Sequence, residues 1–137
     1  MHSRPARGLS LVEVTIGLAV LGILTAAAWP SHQHQMQRAR RLDATSALTR
    51  LQQAQEQHRL RHGGYTAELA ALGAIGTRSA QGLYELQLRS QGPGRVTLAA
   101  RARADAEQRD DHECAEITLV MDEGVADPGP SGRCWGR

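Results

Sequence analysis

Residues 9–29 read LSLVEVTIGLAVLGILTAAAW, an apolar run whose only charge is Glu13 and whose other polar side chains are Ser10, Thr15 and Thr25. As a helix rising ~1.5 Å per residue, it covers about 31 Å, close to the hydrocarbon thickness of a bilayer. A small domain with no Phe and 3% aromatic residues could hardly surround so long a helix that is apolar on every side. The stretch therefore predicts a membrane crossing. Arg4 and Arg7 before it put the N-terminus on the cytoplasmic side, although Arg38, Arg40 and Arg41 beyond it blunt the asymmetry. A secretory signal is cut after its apolar region, where Thr25-Ala26-Ala27-Ala28 offers small residues. The short leader ending in Gly8 points instead to a cut before the run, between Gly8 and Leu9.

Glu13 separates a plain anchor from something more. A carboxylate within a membrane helix costs about 2.5–3.5 kcal/mol on insertion scales, so it ordinarily has a partner and a use. Cleavage after Gly8 creates an amine on Leu9, one helical turn before Glu13, and a neighbouring copy presents the same amine. In a bundle of such helices the pair neutralises itself and fixes axial register. The segment thus predicts assembly through the helix.

Beyond it the chain turns polar. All 16 basic residues are arginine, and once Arg4 and Arg7 leave with the leader the remaining 14 match the 14 acidic residues. A formally neutral mature chain has no strong overall pull toward nucleic acid or anionic lipid. With so few aromatic side chains the core of the soluble part is small, and the two cysteines, Cys114 and Cys134, invite a staple. A closed loop of that length is worth roughly 3 kcal/mol by chain entropy. Two separate buried thiols are the alternative reading.

Pro30 is expected to kink the helix, which resumes over 36–62 with Ala44, Ala47, Leu48, Leu51, Ala54 and His58 along one narrow stripe. Arg40, Arg41, Asp43, Arg50, Gln52, Gln53, Glu56 and Arg59 are expected to face water or neighbours. Gly63-Gly64 ends the helix. Residues 65–82 form a connection with one short helical turn over 67–72, anchored by Tyr65, Leu69 and Leu72. Three alternating runs follow. Tyr84, Leu86 and Leu88 oppose Glu85, Gln87 and Arg89; Val96, Leu98, Ala100 and Ala102 oppose Arg95, Thr97, Arg101 and Arg103; Ala115, Ile117, Leu119 and Met121 oppose Glu116, Thr118 and Asp122. One face packs on the helix and the other is wet. The pattern predicts an α+β domain with a three-stranded antiparallel meander across the helix.

No catalytic set is legible, so an enzyme is not expected. His32 and His34 do not share a helix face, and His58 and His62 share one without a third ligand nearby in sequence, so no metal centre or cofactor is expected. Asp122, Glu123 and Asp127 lack the alternating spacing of a calcium loop and read as a solvated loop. Arg89, Arg95, Arg101 and Arg103, joined by Arg78 and Arg133, are candidates for a stripe that tracks DNA phosphates, with Glu85 and Glu116 placed to pair with them across strands.

The basic leader, Gly8, the run Leu9-Ser10-Leu11-Val12-Glu13, Gly22 and Pro30 together resemble the prepilin motif shared by type IV pilins and type II secretion pseudopilins. The resemblance implies cleavage after Gly8 by a membrane prepilin peptidase and N-methylation of Leu9, which stands where Phe or Met is usual. It also implies the pilin fold: a long N-terminal helix, its first half transmembrane and its second amphipathic, packed against a three-stranded antiparallel sheet, with the cysteine pair closing a C-terminal loop. The implied organisation is a leader over 1–8, an assembly helix over 9–29, an amphipathic helix over 30–62, and the connection, sheet and closed loop over 63–137. The length, the single C-terminal cysteine pair and Cys134-Trp135 look most like small minor pilins of the PilE class. Such a subunit sits in the inner membrane with a periplasmic domain, then enters a surface filament with other pilins through the assembly machinery, in support of biogenesis, twitching motility, adhesion or DNA uptake. A type II secretion pseudopilin is the alternative, as is a DNA-receptor pilin using the arginine-rich sheet face.

Overall fold

The computed structural model describes residues 10–73 and 75–137, without the side chains of 27–31 and 107. The expected cut between Gly8 and Leu9 lies outside the described residues. Helix α1 spans Leu11–His62, and the chain divides into two compact units, Met1–Gln35 and Met36–Arg137.

Over residues 11–26 of the first unit the helix satisfies its own hydroxyls. Thr15 Oγ1 donates to the carbonyl of Val12 at 2.8 Å, and Thr25 Oγ1 reaches those of Leu21 and Gly22, both at 3.0 Å. Such back-bonding satisfies a hydroxyl without an outside partner. What remains outward is apolar, from Leu11 through Ile16 and Leu18 to Leu24, all exposed. Glu13 is exposed among them. Among the described residues no helix is long and apolar enough to cross a membrane; the expected span, 9–29, runs past the described side chains at both ends. Pro30 falls within the bounds of α1, which is helix on both sides of it.

In the second unit Ala44, Ala47, Leu48 and Leu51 are buried as the stripe predicts. The next turn departs from it: Ala54 is half-buried and Gln55 takes the core position. An amide fits there because both ends are paired, Nε2 donating to the Thr66 carbonyl at 2.6 Å and Oε1 accepting from the Thr66 N–H at 3.0 Å. Arg41 and Asp43, expected to face water, are also buried. Asp111 holds the first, and the Gln81 N–H, at 3.0 Å, holds the second.

Four antiparallel strands follow in the order β1-β2-β3-β4: Tyr84–Ser90, Arg95–Ala102, Glu116–Asp122 and Val125–Gly129. The first three match the alternating runs, and Tyr84, Leu86, Val96, Leu98, Ala100, Ile117, Leu119 and Met121 form the core with α1. The sheet is four-stranded, not three-stranded. Strand β4 was hidden by Pro128, which cannot donate to a ladder and argues against a strand in any but an edge position. Here it stands opposite Leu119 on the sheet's outer strand. The hairpin before it turns through Glu123 and Gly124, both with positive φ, at 48° and 95°, the two-residue geometry that suits strand twist. Asp127, read as a loop residue, therefore lies on a strand, and Asp122 ends β3 as the alternation placed it.

A candidate nucleic-acid interface

The outer sheet face carries three of the four predicted arginines, each answered by acid. Arg89 lies 3.1 Å from Glu116 and Arg95 3.4 Å from Asp122. Register sets Arg101 between Glu85 and Glu116. Arg103 is not on that face: it follows the end of β2, donating to the Gly82 carbonyl at 3.3 Å and pairing with Asp105. Arg95 and Arg101 stand toward opposite ends of β2. Arg89 and Arg101 flank Glu116 while Arg95 stands apart beside Asp122, and phosphates approaching them meet carboxylates already in place.

A second basic surface forms where the C-terminal segment lies along α1. Its groove of about 520 Å³ is lined by Arg38, Ala39, Arg41, Leu42 and Thr45 from the helix and by Arg133, Cys134, Trp135, Gly136 and Arg137. Three restraints seat that segment. The disulfide Cys114–Cys134, S–S 2.09 Å, is buried in the core. Trp135 Nε1 donates to the Gly129 carbonyl at 3.0 Å. The Arg137 N–H donates to the Gly132 carbonyl at 2.9 Å, a return made possible by Gly136 at φ 75°.

Within the groove the arginines have different work. Arg41 is a clamp: Nε and Nη2 grip the two oxygens of Asp111 at 2.6 and 2.7 Å, and Nη1 donates to the Arg133 carbonyl at 3.3 Å. Gln108 Nε2 completes the set at 2.7 Å from Asp111 Oδ2. The hydrogen bonds to Asp111 raise the Arg41 pKa despite burial, so it stays charged and committed. Arg133 meets Glu113 at 2.8 Å in an exposed, weak pair. Among the described residues Arg38 and Arg137 form no ion pair. No carboxylate side chain lines the groove, while exposed Leu42 and half-buried Trp135 add apolar surface. Unpaired guanidinium groups on a surface without carboxylate side chains suit a ligand that offers phosphates.

Sequence reading placed Arg133 in a basic stripe but missed Arg38, Trp135 and Arg137 as a group. The available signal was the cysteine pair, which ties the last residues to the body of the domain. Among the described residues no group of three or more His, Cys, Asp or Glu gathers to hold a metal.

The family model described as type IV minor pilin ComP, DNA uptake sequence receptor, matches residues 30–118. The prokaryotic N-terminal methylation motif matches residues 3–29. No curated protein matches the chain.

Proposed function

The chain belongs to the type IV minor pilin ComP family, and from that premise we propose that it is a DNA receptor subunit of a type IV pilus, binding duplex DNA in the groove between α1 and the C-terminal segment. The family match over 30–118 carries the reading. The groove, free of acidic side chains in its lining, supports the choice of surface over the sheet face, where each arginine stands beside a carboxylate.

The motif over 3–29 supports the following maturation. Prepilin peptidase cuts after Gly8 and methylates Leu9; the run 9–29 anchors the subunit in the inner membrane with residues 30–137 in the periplasm; Glu13 pairs with the terminal amine of a neighbouring pilin during assembly. The subunit is structural and has no catalytic role. The pilin match favours a pilus over a type II secretion assembly.

Anisotropy titrations of labelled duplex DNA with the detergent-solubilised full chain test the surface. Arg38→Ala with Arg137→Ala should weaken binding at least about tenfold and lower the salt slope by about 2, one per lost phosphate contact. Arg95→Ala with Arg101→Ala should change little. The reverse ranking would return the site to the sheet, and no DNA binding by the unaltered chain would overturn the receptor reading.

A further inference from the structure

At the far end of α1 from Leu11, two imidazoles stand together. His58 and His62 sit one turn apart, ring centroids 4.4 Å from each other and planes tilted by 34°. His58 Nδ1 lies 3.0 Å from the carbonyl oxygen of Gly64. A carbonyl only accepts, so Nδ1 carries the proton of the neutral ring and Nε2 keeps its lone pair. A hydrogen bond from the second ring nitrogen to a main-chain carbonyl is how metal-ligating histidines are oriented.

The carbonyl is itself held in place. A Cβ at Gly64 would meet the Pro93 carbonyl oxygen at 3.1 Å, and the next N–H, of Tyr65, donates to that same oxygen at 2.9 Å. The turn that orients His58 is thus pinned to the β1–β2 hairpin. Both imidazoles line an open groove of about 320 Å³ with Gln57, Arg61, Leu72 and Gly73, which leaves room for water or a further ligand at an ion. The last helical turn adds the negative end of the helix dipole, favourable to a cation, and opposed in part by Arg61.

We propose that His58 and His62 form a two-imidazole site for a divalent ion of the zinc and copper class, which imidazole nitrogen suits. His58 supplies Nε2 as the fixed ligand, and His62, exposed on the helix surface, supplies the adjustable one. The remaining coordination positions are taken by water. Bound metal would clamp the last two turns of α1, whose His58 already holds the Gly64 carbonyl, a role separate from the DNA groove.

Isothermal titration of Zn²⁺ and of Cu²⁺ into the untagged full chain in detergent tests the site. One equivalent is expected, weakened at least about tenfold by His62→Gln and by His58→Gln, and unaltered by His34→Gln. Because His62 is exposed, His62→Gln should leave the circular dichroism spectrum unchanged, which separates loss of a ligand from loss of fold. Retention of the equivalent in the double variant, or no saturable binding by the unaltered chain, would overturn the proposal.

Discussion

At the scale of single residues, the buried polar groups mark where composition misleads. With no Phe, the largest fully buried side chain among the described residues is Tyr84, a phenol in a place that another sequence would give to Phe. Burial first, and then the nearby Asp111 charge, raise its pKa above the ordinary phenol value. Tyr65 is shifted the same way, by burial and by its hydrogen bond to Glu56, 2.8 Å away. The raised folded-state value means that the folded protein holds its protons where the unfolded chain, titrating near pH ~10, releases them. Their contribution is complete below about pH 10 and declines as pH rises beyond, by at most ~1.4 kcal/mol per pH unit for each tyrosine. Denaturant midpoints measured from pH 9 to 11 should fall, with tyrosinate absorbance rising together with unfolding. In Tyr84→Phe the fall should be shallower; an unchanged slope would show that this phenol does not govern it.

Among the elements, the C-terminal segment depends most on a covalent link. It makes no strand of its own, and it is held to the rest through Cys134, Trp135 and Arg133, the last by its carbonyl and by its exposed pair with Glu113. Cys114→Ser with Cys134→Ser should lower stability by roughly 3 kcal/mol and, because the same segment supplies Arg137 and Trp135 to the groove, weaken DNA binding more than stability alone predicts. DNA affinity equal to that of the unaltered chain, measured where both are folded, would contradict that placement of the groove. Much of this architecture was legible. Period-two alternation exposed β1 to β3 because each has one apolar and one polar face, and the stripe from Ala44 to Leu51 exposed the packed side of α1. The rest failed for local reasons. Pro128 masked β4, paired amides hid Gln55 as a core residue, and Arg41 looked like surface until its partner, 70 positions away, was placed. Arg89 and Arg101 lost their claim through the cross-strand carboxylates, Glu85 and Glu116, that the alternating pattern had already placed on their face.

For the whole molecule, the methylation motif over 3–29 and the minor-pilin match over 30–118 are two separate signals that meet at Pro30. Mass spectrometry of protein extracted from membranes should find a chain beginning at Leu9 and carrying one methyl group. A start at Met1, or a cut near Ala28, would refute maturation at Gly8. Processing reads the leader, whereas packing reads the helix, so Glu13→Ala should give normal trimming with reduced incorporation into filaments.

The back-bonded hydroxyls of Thr15 and Thr25 have a consequence for such packing. They leave Glu13 as the single polar mark on the helix surface over residues 11–26, which gives a neighbour an axial address but no azimuthal one. Sliding along the helix moves a carboxylate away from its partner; spinning about the axis only exchanges one aliphatic contact for another. Strain on a bundle of these helices would therefore be relieved by rotation before translation, so that it can twist without losing register.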